Sequence, residues 1–386
     1  MAMLITKNWK SIRIVIISVC VLEIYSLGFG QNRKAFFVGG LATLEELDLE
    51  TFQIVRTFDF ADTVSGASVG AIVDPQNRKL YMYSFVTDTQ KYASLVRLDL
   101  DSLRIERKLF LPEYADSNWQ GFIDGYLVNQ GNRLFLVFYR ATSTNFWYEG
   151  WTVMTAHLQK LGAVDLGYIN ELAYDEASSR LYFVDYLKDS KPLFRIDVNT
   201  DPTRKEILTE SLSVTYDRES MVTIFVNGNE LWYASDYLYR INLEDYTAEK
   251  IFKASVNTPV KAFTSDRCKL VVNKVIKDLN EDVDSPISRD SLTVIDFGHL
   301  VPNIERYIKI PAVVDTSSYG LARVNISPEG DFLVLIYYDK LKGRAPEDVV
   351  ILDFRTEKLL FHQLLAPVVR VHYNYTGPLG PCPEVK

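Results

Sequence analysis

Cysteine and histidine are scarce in this chain of 386 residues, which contains three cysteines and four histidines. No two histidines lie at the short spacing of paired zinc ligands, so a zinc site is not expected. The motifs GxGxxG, GxxxxGK(S/T) and GxSxG are also absent from the sequence. Long stretches of helical periodicity are missing as well. These absences leave no recognisable set of catalytic residues.

Long apolar runs are equally rare, and the run near the N-terminus is short. Cationic residues at 7–13 precede the apolar run 14–22, Glu23 interrupts it, and small residues follow at 26–30. This layout is typical of a secretory signal peptide. We therefore expect residues 1–30 to be cleaved from a secreted, extracellular protein, or from a periplasmic one in a bacterium. The alternative is an uncleaved signal anchor.

The chain has fewer basic than acidic residues: it contains 42 Lys and Arg and 50 Asp and Glu, which gives a formal net charge of −8. Residues 1–30 hold three cationic and one acidic residue, so 31–386 carries −10. Such a chain lacks the basic footprint of a nucleic-acid-binding protein. It also lacks a polybasic stretch for an anionic membrane surface. We expect no nucleic-acid partner and, after signal cleavage, no membrane association.

The abundant feature is a repeated pair of segments. An apolar run follows a turn in GAIVDPQNRKLYMYSF (70–85) and again in ELAYDEASSRLYFVDY (171–186), and a second run then ends in an acidic or amide residue. That residue begins a tight turn, where Asp and Asn accept hydrogen bonds from backbone N–H groups two residues on. Seven positions are assigned to it: Asp48, Asp99, His157, Asp197, Asn242, Asp296 and Asp353. Their spacing of 40 to 58 residues is typical of propeller blades.

Each repeat therefore predicts four strands, a to d, and the chain predicts an all-β, seven-bladed β-propeller. Its predicted blades are 34–60, 67–111, 121–166, 168–208, 220–253, 259–310 and 320–366. The first blade lacks a strand a, and 367–377 has the alternation of a strand. We expect this C-terminal strand to complete the first blade and to close the ring within a single domain, 31–386.

Three segments resemble known propeller repeats. YFVD at 182–185 and LFRID at 193–197 resemble the YWTD repeat, and LDLETFQIVRTF at 47–58 is similar to the YVTN repeat. The resemblance extends over the scaffold of residues 31–386 and implies the propeller fold. It implies no active site, because the matching residues are those of the blades.

The connections differ between the two ends of the predicted propeller. The a–b and c–d turns, at the end that we name the turn face, are short. The b–c and d–a connections lie at the opposite end, which we name the loop face. They are long and differ in sequence from blade to blade, and such loops usually carry function. One connection, 140–151, is rich in aromatic residues that suit a sugar, an amine or a protein partner. Its candidate ligand-binding residues, with one from the preceding loop, are Trp119, Phe146, Trp147, Tyr148 and Trp151. The alternative is that these residues continue strands b and c.

The starts of the inner strands predict a second group of candidates. Asp124, Glu171, Arg218 and Arg323 are expected to surround the mouth of the central channel, with Glu219, Lys261 and His372. Charges of both signs there suit a polar ligand or a metal ion. The alternative is a self-neutralising ring around water.

The segment 278–290 resembles a calcium loop, with Asp278, Asn280, Asp282 and Asp284 alternating. It departs from the EF-hand pattern at the required Gly and Glu positions. Calcium is thus a possible ligand, no other cofactor is predicted, and a solvated acidic hairpin tip is the alternative.

Two covalent features concern residues of the mature chain. Cys268 and Cys382 are expected to form a disulfide that secures the ring closure, since oxidising compartments favour pairing. Two free thiols or an intermolecular bond are the alternatives. Asn374 begins a glycosylation sequon that lies in a predicted strand.

Together these features predict an extracellular, monomeric binding protein that acts through its b–c/d–a loop face. Its partner would be an extracellular protein or a small aromatic or polar ligand. Two alternatives stay open at this point: a propeller hydrolase or lyase with a metal at the channel mouth, and a structural extracellular protein without a small ligand.

Overall fold

A computed structural model of the chain describes nineteen segments and consists of strands and turns in all of them. No helix in these segments could cross a membrane. The described segments are 33–39, 43–60, 69–84, 93–111, 119–128, 131–141, 146–169, 172–186, 188–215, 223–235, 237–254, 261–264, 268–273, 275–276, 291–297, 303–314, 319–339, 347–365 and 368–373.

The strands form seven antiparallel sheets, which are the blades of a β-propeller. Blade 1 contains β1 (Lys34–Gly39), β2 (Thr43–Asp48) and β3 (Gln53–Asp59). Blade 2 contains β4 (Val69–Asp74), β5 (Lys79–Ser84), β6 (Ala93–Asp99) and β7 (Ile105–Leu111). Blade 3 contains β8 (Trp119–Val128), β9 (Arg133–Ala141), β10 (Phe146–Met154) and β11 (Gln159–Gly167). Blade 4 contains β12 (Ala173–Asp175), β13 (Arg180–Val184), β14 (Leu193–Asp197) and β15 (Lys205–Thr209).

Blade 5 contains β16 (Thr223–Asn227), β17 (Glu230–Ala234), β18 (Tyr237–Asn242) and β19 (Ala248–Ala254). Blade 6 contains β20 (Lys261–Phe263), β21 (Lys269–Asn273), β23 (Ser291–Asp296) and β24 (Asn303–Lys309). Blade 7 contains β25 (Tyr319–Ile326), β26 (Phe332–Asp339), β27 (Glu347–Asp353) and β28 (Leu359–Leu365). The two remaining strands are β22 (Val275–Ile276) and β29 (Val368–Tyr373).

The C-terminal strand β29 completes blade 1, as the sequence predicts. It pairs antiparallel with β1, and Phe36 lies opposite His372. The strand order of this sheet is β29-β1-β2-β3, so both ends of the propeller sequence share one blade. The ring is therefore closed by main-chain hydrogen bonds, which removes the edge that β1 would otherwise expose.

The core is a set of seven apolar clusters, one at each junction between neighbouring blades. The cluster that joins blades 7 and 1 contains Val334 and Ile351 of blade 7 with Phe37 and Leu47 of blade 1. All four are at most 1% exposed. Because strand b is covered by a blade on each side, its sequence is continuously apolar rather than alternating. This explains why single repeats cannot bury their own faces.

Tight c–d turns end most strands c at the predicted acidic or amide residue. Asp48 Oδ1 accepts hydrogen bonds from the N–H groups of Glu50 (2.9 Å) and Thr51 (2.8 Å). Asp99, Asp197, Asn242 and Asp353 accept equivalent bonds. Blade 3 is an exception, and the prediction of His157 for this position is wrong. The register places Met154 there, opposite both Arg133 and Gln159.

One described strand has no counterpart in the predicted repeat. β22 follows β21 of blade 6 but pairs with β19, the outer strand of blade 5, with Lys253 opposite Ile276. The b–c connection of blade 6 thus adds a fifth strand to the neighbouring blade. A two-residue strand carries too little periodicity to be predicted from sequence.

Candidate functional site

Among the described residues, strand b extends further towards the loop face in blades 3 and 7 than in the other blades. Strand b has nine residues in blade 3 and eight in blade 7, against five or six in the others. All strands b start level at the turn face, so the extra residues lengthen the blades at the loop face. At about 3.4 Å per residue, the extension is roughly 7–14 Å. Counted around the ring, these two blades lie on opposite sides of the channel.

The inner strands bulge at the same end of the propeller. β8 has extra residues between Trp119 and Gly121 and between Phe122 and Asp124. β25 has one between Leu321 and Arg323, and β29 one opposite the Val38–Gly39 step. A bulge bends its strand and redirects the following side chains. Two predicted channel residues, Asp124 and Arg323, directly follow such bulges, and Arg323 is half-buried.

The prediction of an aromatic loop at 140–151 is wrong, because residues 140–141 belong to strand β9 and residues 146–151 to strand β10. Residues 146–151 pair with β9 in unbroken register. Trp151 is 2% exposed and packs on Phe138, with a centroid distance of 5.3 Å. Its indole N–H donates to Glu149 Oε1 at 2.8 Å, and Lys160 Nζ lies 3.2 Å from its ring centroid. Trp151 is therefore a core residue, and we assign it no ligand role.

Two other aromatic residues of β10 lie in the projecting part of blade 3. Trp147 and Tyr148 are half-buried. Trp147 lies opposite Arg140 of β9, which in turn lies opposite Trp119 of β8. Directly opposite residues share one face of a sheet, so the register brings two tryptophan positions to either side of an arginine position. Phe146 also belongs to β10.

Blade 7 contributes residues that the sequence did not single out. Tyr338 is 40% exposed and its ring lies against Gly320, where an added Cβ would be 2.7 Å from the ring. His362 Nε2 lies 3.2 Å from Asp348 Oδ1. Tyr337 is buried, and loss of solvent raises the pKa of its phenol. The tyrosine pair ends an ordinary apolar strand, so only the register shows that it reaches the loop face.

The turn face has a different chemistry, because its charged side chains join blade to blade. Arg56 of blade 1 donates to the Asp101 carbonyl of blade 2 (2.7 Å), and Arg97 of blade 2 to the Thr155 carbonyl of blade 3 (2.8 Å). Arg133 donates to a carbonyl of blade 4, and Arg306 to one of blade 7 at 2.5 Å. These four arginines reach backbone oxygens in or beside the next blade's c–d turn. These four bonds link neighbouring blades at this face.

Several predicted residues lie outside the described segments. These are Glu171, Arg218, Asp278, Asn280, Asp282, Asp284, Cys382 and Asn374. Within the described segments, no group of three or more His, Cys, Asp or Glu side chains could hold a metal ion. Cys268 is disulfide-bonded, and its pairing with Cys382 stays a prediction.

Comparison with known proteins supports the fold alone. No protein-family model and no curated protein matches the chain. Among solved structures, a putative 6-phosphogluconolactonase from Bacteroides uniformis is similar with a TM-score of 0.56 and 12% identity, over 89% of this chain and 100% of that one. Dihydro-heme d1 dehydrogenase NirN in complex with DHE gives 0.54 and 12%, over 88% and 75%. The β-propeller domain of Myceliophteria thermophila Cps50 (Swd1) gives 0.52 and 12%, over 76% and 84%.

The chain is therefore a β-propeller protein. Its similar structures differ from one another in their named activities, so the fold does not select a function. The YVTN or YWTD repeat type remains a resemblance of sequence.

Proposed function

We propose that this protein is an extracellular binding module whose ligand or partner docks at the loop face, at the channel mouth between blades 3 and 7. The observation that carries the proposal is the coincidence of two long blades and bulged inner strands at one end of the propeller. Bulges are common beside functional sites, where they redirect side chains. The opposite end is engaged in structural bonds, which leaves the loop face as the end that can vary.

The projecting strands favour an aromatic or polar ligand, or a protein surface with such groups. Trp147 on blade 3 and Tyr338 on blade 7 offer apolar ring area with polar tips, whereas Tyr148 packs against the apolar cluster that joins blades 3 and 4. Such residues are enriched at the centres of protein interfaces. Arg323, at the channel mouth, supplies a positive charge. A secreted location follows from the signal-like segment 1–30 and is part of the proposal.

The test is a thermal-shift panel on residues 31–386 with sugars, aromatic amines, calcium and EDTA. A ligand that binds the folded state raises the melting temperature by mass action. The shift should be lost in Trp147→Ala and kept in Tyr307→Ala. Tyr307 is a matched control because it is an exposed aromatic, 51% accessible, on the outer strand of blade 6.

Other responses would redirect or refute the proposal. A calcium shift lost in Asp124→Asn would indicate a metal at the channel mouth, and one lost only in Asp282→Asn would indicate the acidic segment. A ligand shift that survives Trp147→Ala and Tyr338→Ala would refute the loop-face site. If small molecules have no effect, secreted proteins captured by the wild type but not by Trp147→Ala would support a protein partner.

A further inference from the structure

The inner strands of the propeller can be compared level by level. Strand b begins at the turn face in every blade, where its first residue pairs with the residue at the c–d turn position. The fifth residue of strand b therefore marks one level around the ring, on the side of the loop face. Described strands a reach this level in blades 1, 2, 3, 5 and 7, and the residues paired there are Arg370, Gly70, Asp124, Thr223 and Arg323, respectively.

A β-bulge lies at the same step in the three blades that have a charged residue at this level. Between the fifth and sixth residues of strand b, the register of strand a skips Val369 in blade 1, Ile123 in blade 3 and Ala322 in blade 7. The charged residue directly follows the skipped one in each case. Blade 2 passes through the same step without a bulge, and its residue at this level is Gly70. Because bulges redirect side chains and are common beside functional sites, the coincidence marks these charges as a site.

The three charges are divided between two sides of the channel. Arg323 and Arg370 belong to blades 7 and 1, which are neighbours and pack face to face through one apolar cluster. Packed sheets lie about 10 Å apart, so two arginine side chains at one level are close enough to bind the same small anion. Asp124 belongs to blade 3, across the channel from blade 7. One side of the channel mouth therefore has two positively charged residues, and the other side has a negatively charged residue at the same level.

We propose that the channel mouth binds a small dipolar ligand, with a carboxylate held by Arg323 and Arg370 and an amino group held by Asp124. Arginine recognises a carboxylate through paired N–H groups in a fixed plane, which gives both affinity and orientation. The acidic residue across the channel adds a preference for a ligand with a positively charged end. This inference rests on the proposed function, because it assigns a ligand class to the same loop-face site and adds Arg370 to its residues.

Isothermal titration of the protein with 6-aminohexanoate tests the proposal, because the flexible chain of this compound lets its two charged ends adjust to the channel. Hexanoate and hexylamine are controls of equal chain length that each lack one charged group. Saturable binding is expected for 6-aminohexanoate, with binding about tenfold weaker or absent for the two controls. Arg323→Gln and Arg370→Gln should each weaken 6-aminohexanoate binding about tenfold or more. Arg107→Gln, at an exposed position on the outer strand of blade 2, should leave it unchanged.

Asp124→Asn separates the two halves of the proposed site. It should weaken the binding of 6-aminohexanoate and leave the binding of hexanoate unchanged, a pattern that loss of folding would not produce. The melting temperature of each arginine variant shows whether it folds. If either Gln variant does not fold, the corresponding change to Lys decides, because Lys keeps the charge but lacks the paired N–H groups and should also weaken binding.

The proposal is overturned if 6-aminohexanoate does not bind, if either control compound binds equally well, or if the arginine variants or Asp124→Asn bind it like the wild type. Its failure can be told apart from failure of the proposed function. A ligand of the loop-face panel whose thermal shift depends on Trp147, together with no binding of 6-aminohexanoate, would leave the loop-face site standing and overturn the dipolar ligand alone.

Discussion

Replacing Glu46 by glutamine should destabilise the protein far more than the same change at an exposed carboxylate. Glu46 lies on strand c of blade 1 and is 0% exposed. Lys34 forms an ion pair with one carboxylate oxygen, and Arg56 Nε donates to the other at 2.5 Å. Arg56 also donates to the Asp101 carbonyl of blade 2. The buried negative charge therefore holds two cations, one of which joins blade 1 to blade 2.

The magnitude follows from burial. Removing one partner of a buried ion pair costs about 3–5 kcal/mol, because the remaining charge is left uncompensated. Here Lys34 and Arg56 are 28% and 33% exposed, so water can partly solvate them after the change. We therefore expect Glu46→Gln to lower the free energy of unfolding by about 3 kcal/mol, the lower end of that range.

Glu106 is the matched control. It also binds two cations, Lys79 and Arg97, at the corresponding end of blade 2, but it is 29% exposed. Glu106→Gln should cost about 0–1 kcal/mol, as for other solvent-exposed ion pairs. Urea denaturation at neutral pH, followed by tryptophan fluorescence, measures both variants, and unchanged m-values would assign the difference to stability. Equal losses in the two variants would refute the role given to burial.

Three further predictions concern the turns, the core and the ring closure. Hydrogen bonds from Ser102 to the Asp99 carboxylate lower the pKa of Asp99 to about 2. The ionised carboxylate therefore stabilises the fold fully above the unfolded pKa of about 3.9, and this contribution is lost as the pH falls towards 2. The free energy of unfolding, measured at several pH values, should fall less steeply in acid for Asp99→Asn than for the wild type, and an equal slope would contradict this. Gly150→Ala should cost about 1–3 kcal/mol of stability by urea denaturation, because its Cβ would lie 2.2 Å from the Phe135 ring; a wild-type value would show that the ring can move freely. A chain that ends at 366, without β29, should lose its cooperative thermal transition and aggregate, whereas one that ends at 376 should not; cooperative melting of the shorter chain would refute ring closure by β29.

The sequence predicts the blades well because their information is local and repeated. Each apolar run and each turn residue occurs several times, so an error in one copy is corrected by the others. The closing strand could be predicted from a count alone, since the first repeat lacks a strand a. The structure confirms this assignment in the pairing of β29 with β1.

The incorrect predictions concern blade 3, whose sequence departs from the repeat. In blade 3 a methionine occupies the turn position, so the sequence pattern indicates His157, three residues on, instead. The aromatic residues of 145–151 favour a binding loop, although Trp147, Glu149 and Trp151 alternate as in a strand. Register decides such cases, and it depends on the partner strands β9 and β11, which a single segment does not contain.

The same limit applies to the candidate site. Aromatic content marks 145–151 as a candidate site, but it does not separate Trp151, which is a core residue, from Trp147, which is half-buried. Nothing in the sequence marks Tyr338, because it lies near the end of an apolar strand, or the Asp348–His362 pair, because its two residues lie on different strands. The length of strand b, measured from its start at the turn face, is the feature that places Tyr338 at the loop face.

The difference between the turn face, where side chains link the blades, and the loop face, where strand lengths vary, has a physical origin. Successive blades must stay in register at one end for the ring to close, and the arginines of the turn face fix that register through backbone carbonyls, which every sequence has. Side chains at that end are therefore constrained by their neighbours in the next blade. The loop face lies beyond these bonds, so blades 3 and 7 can lengthen there without disturbing the ring.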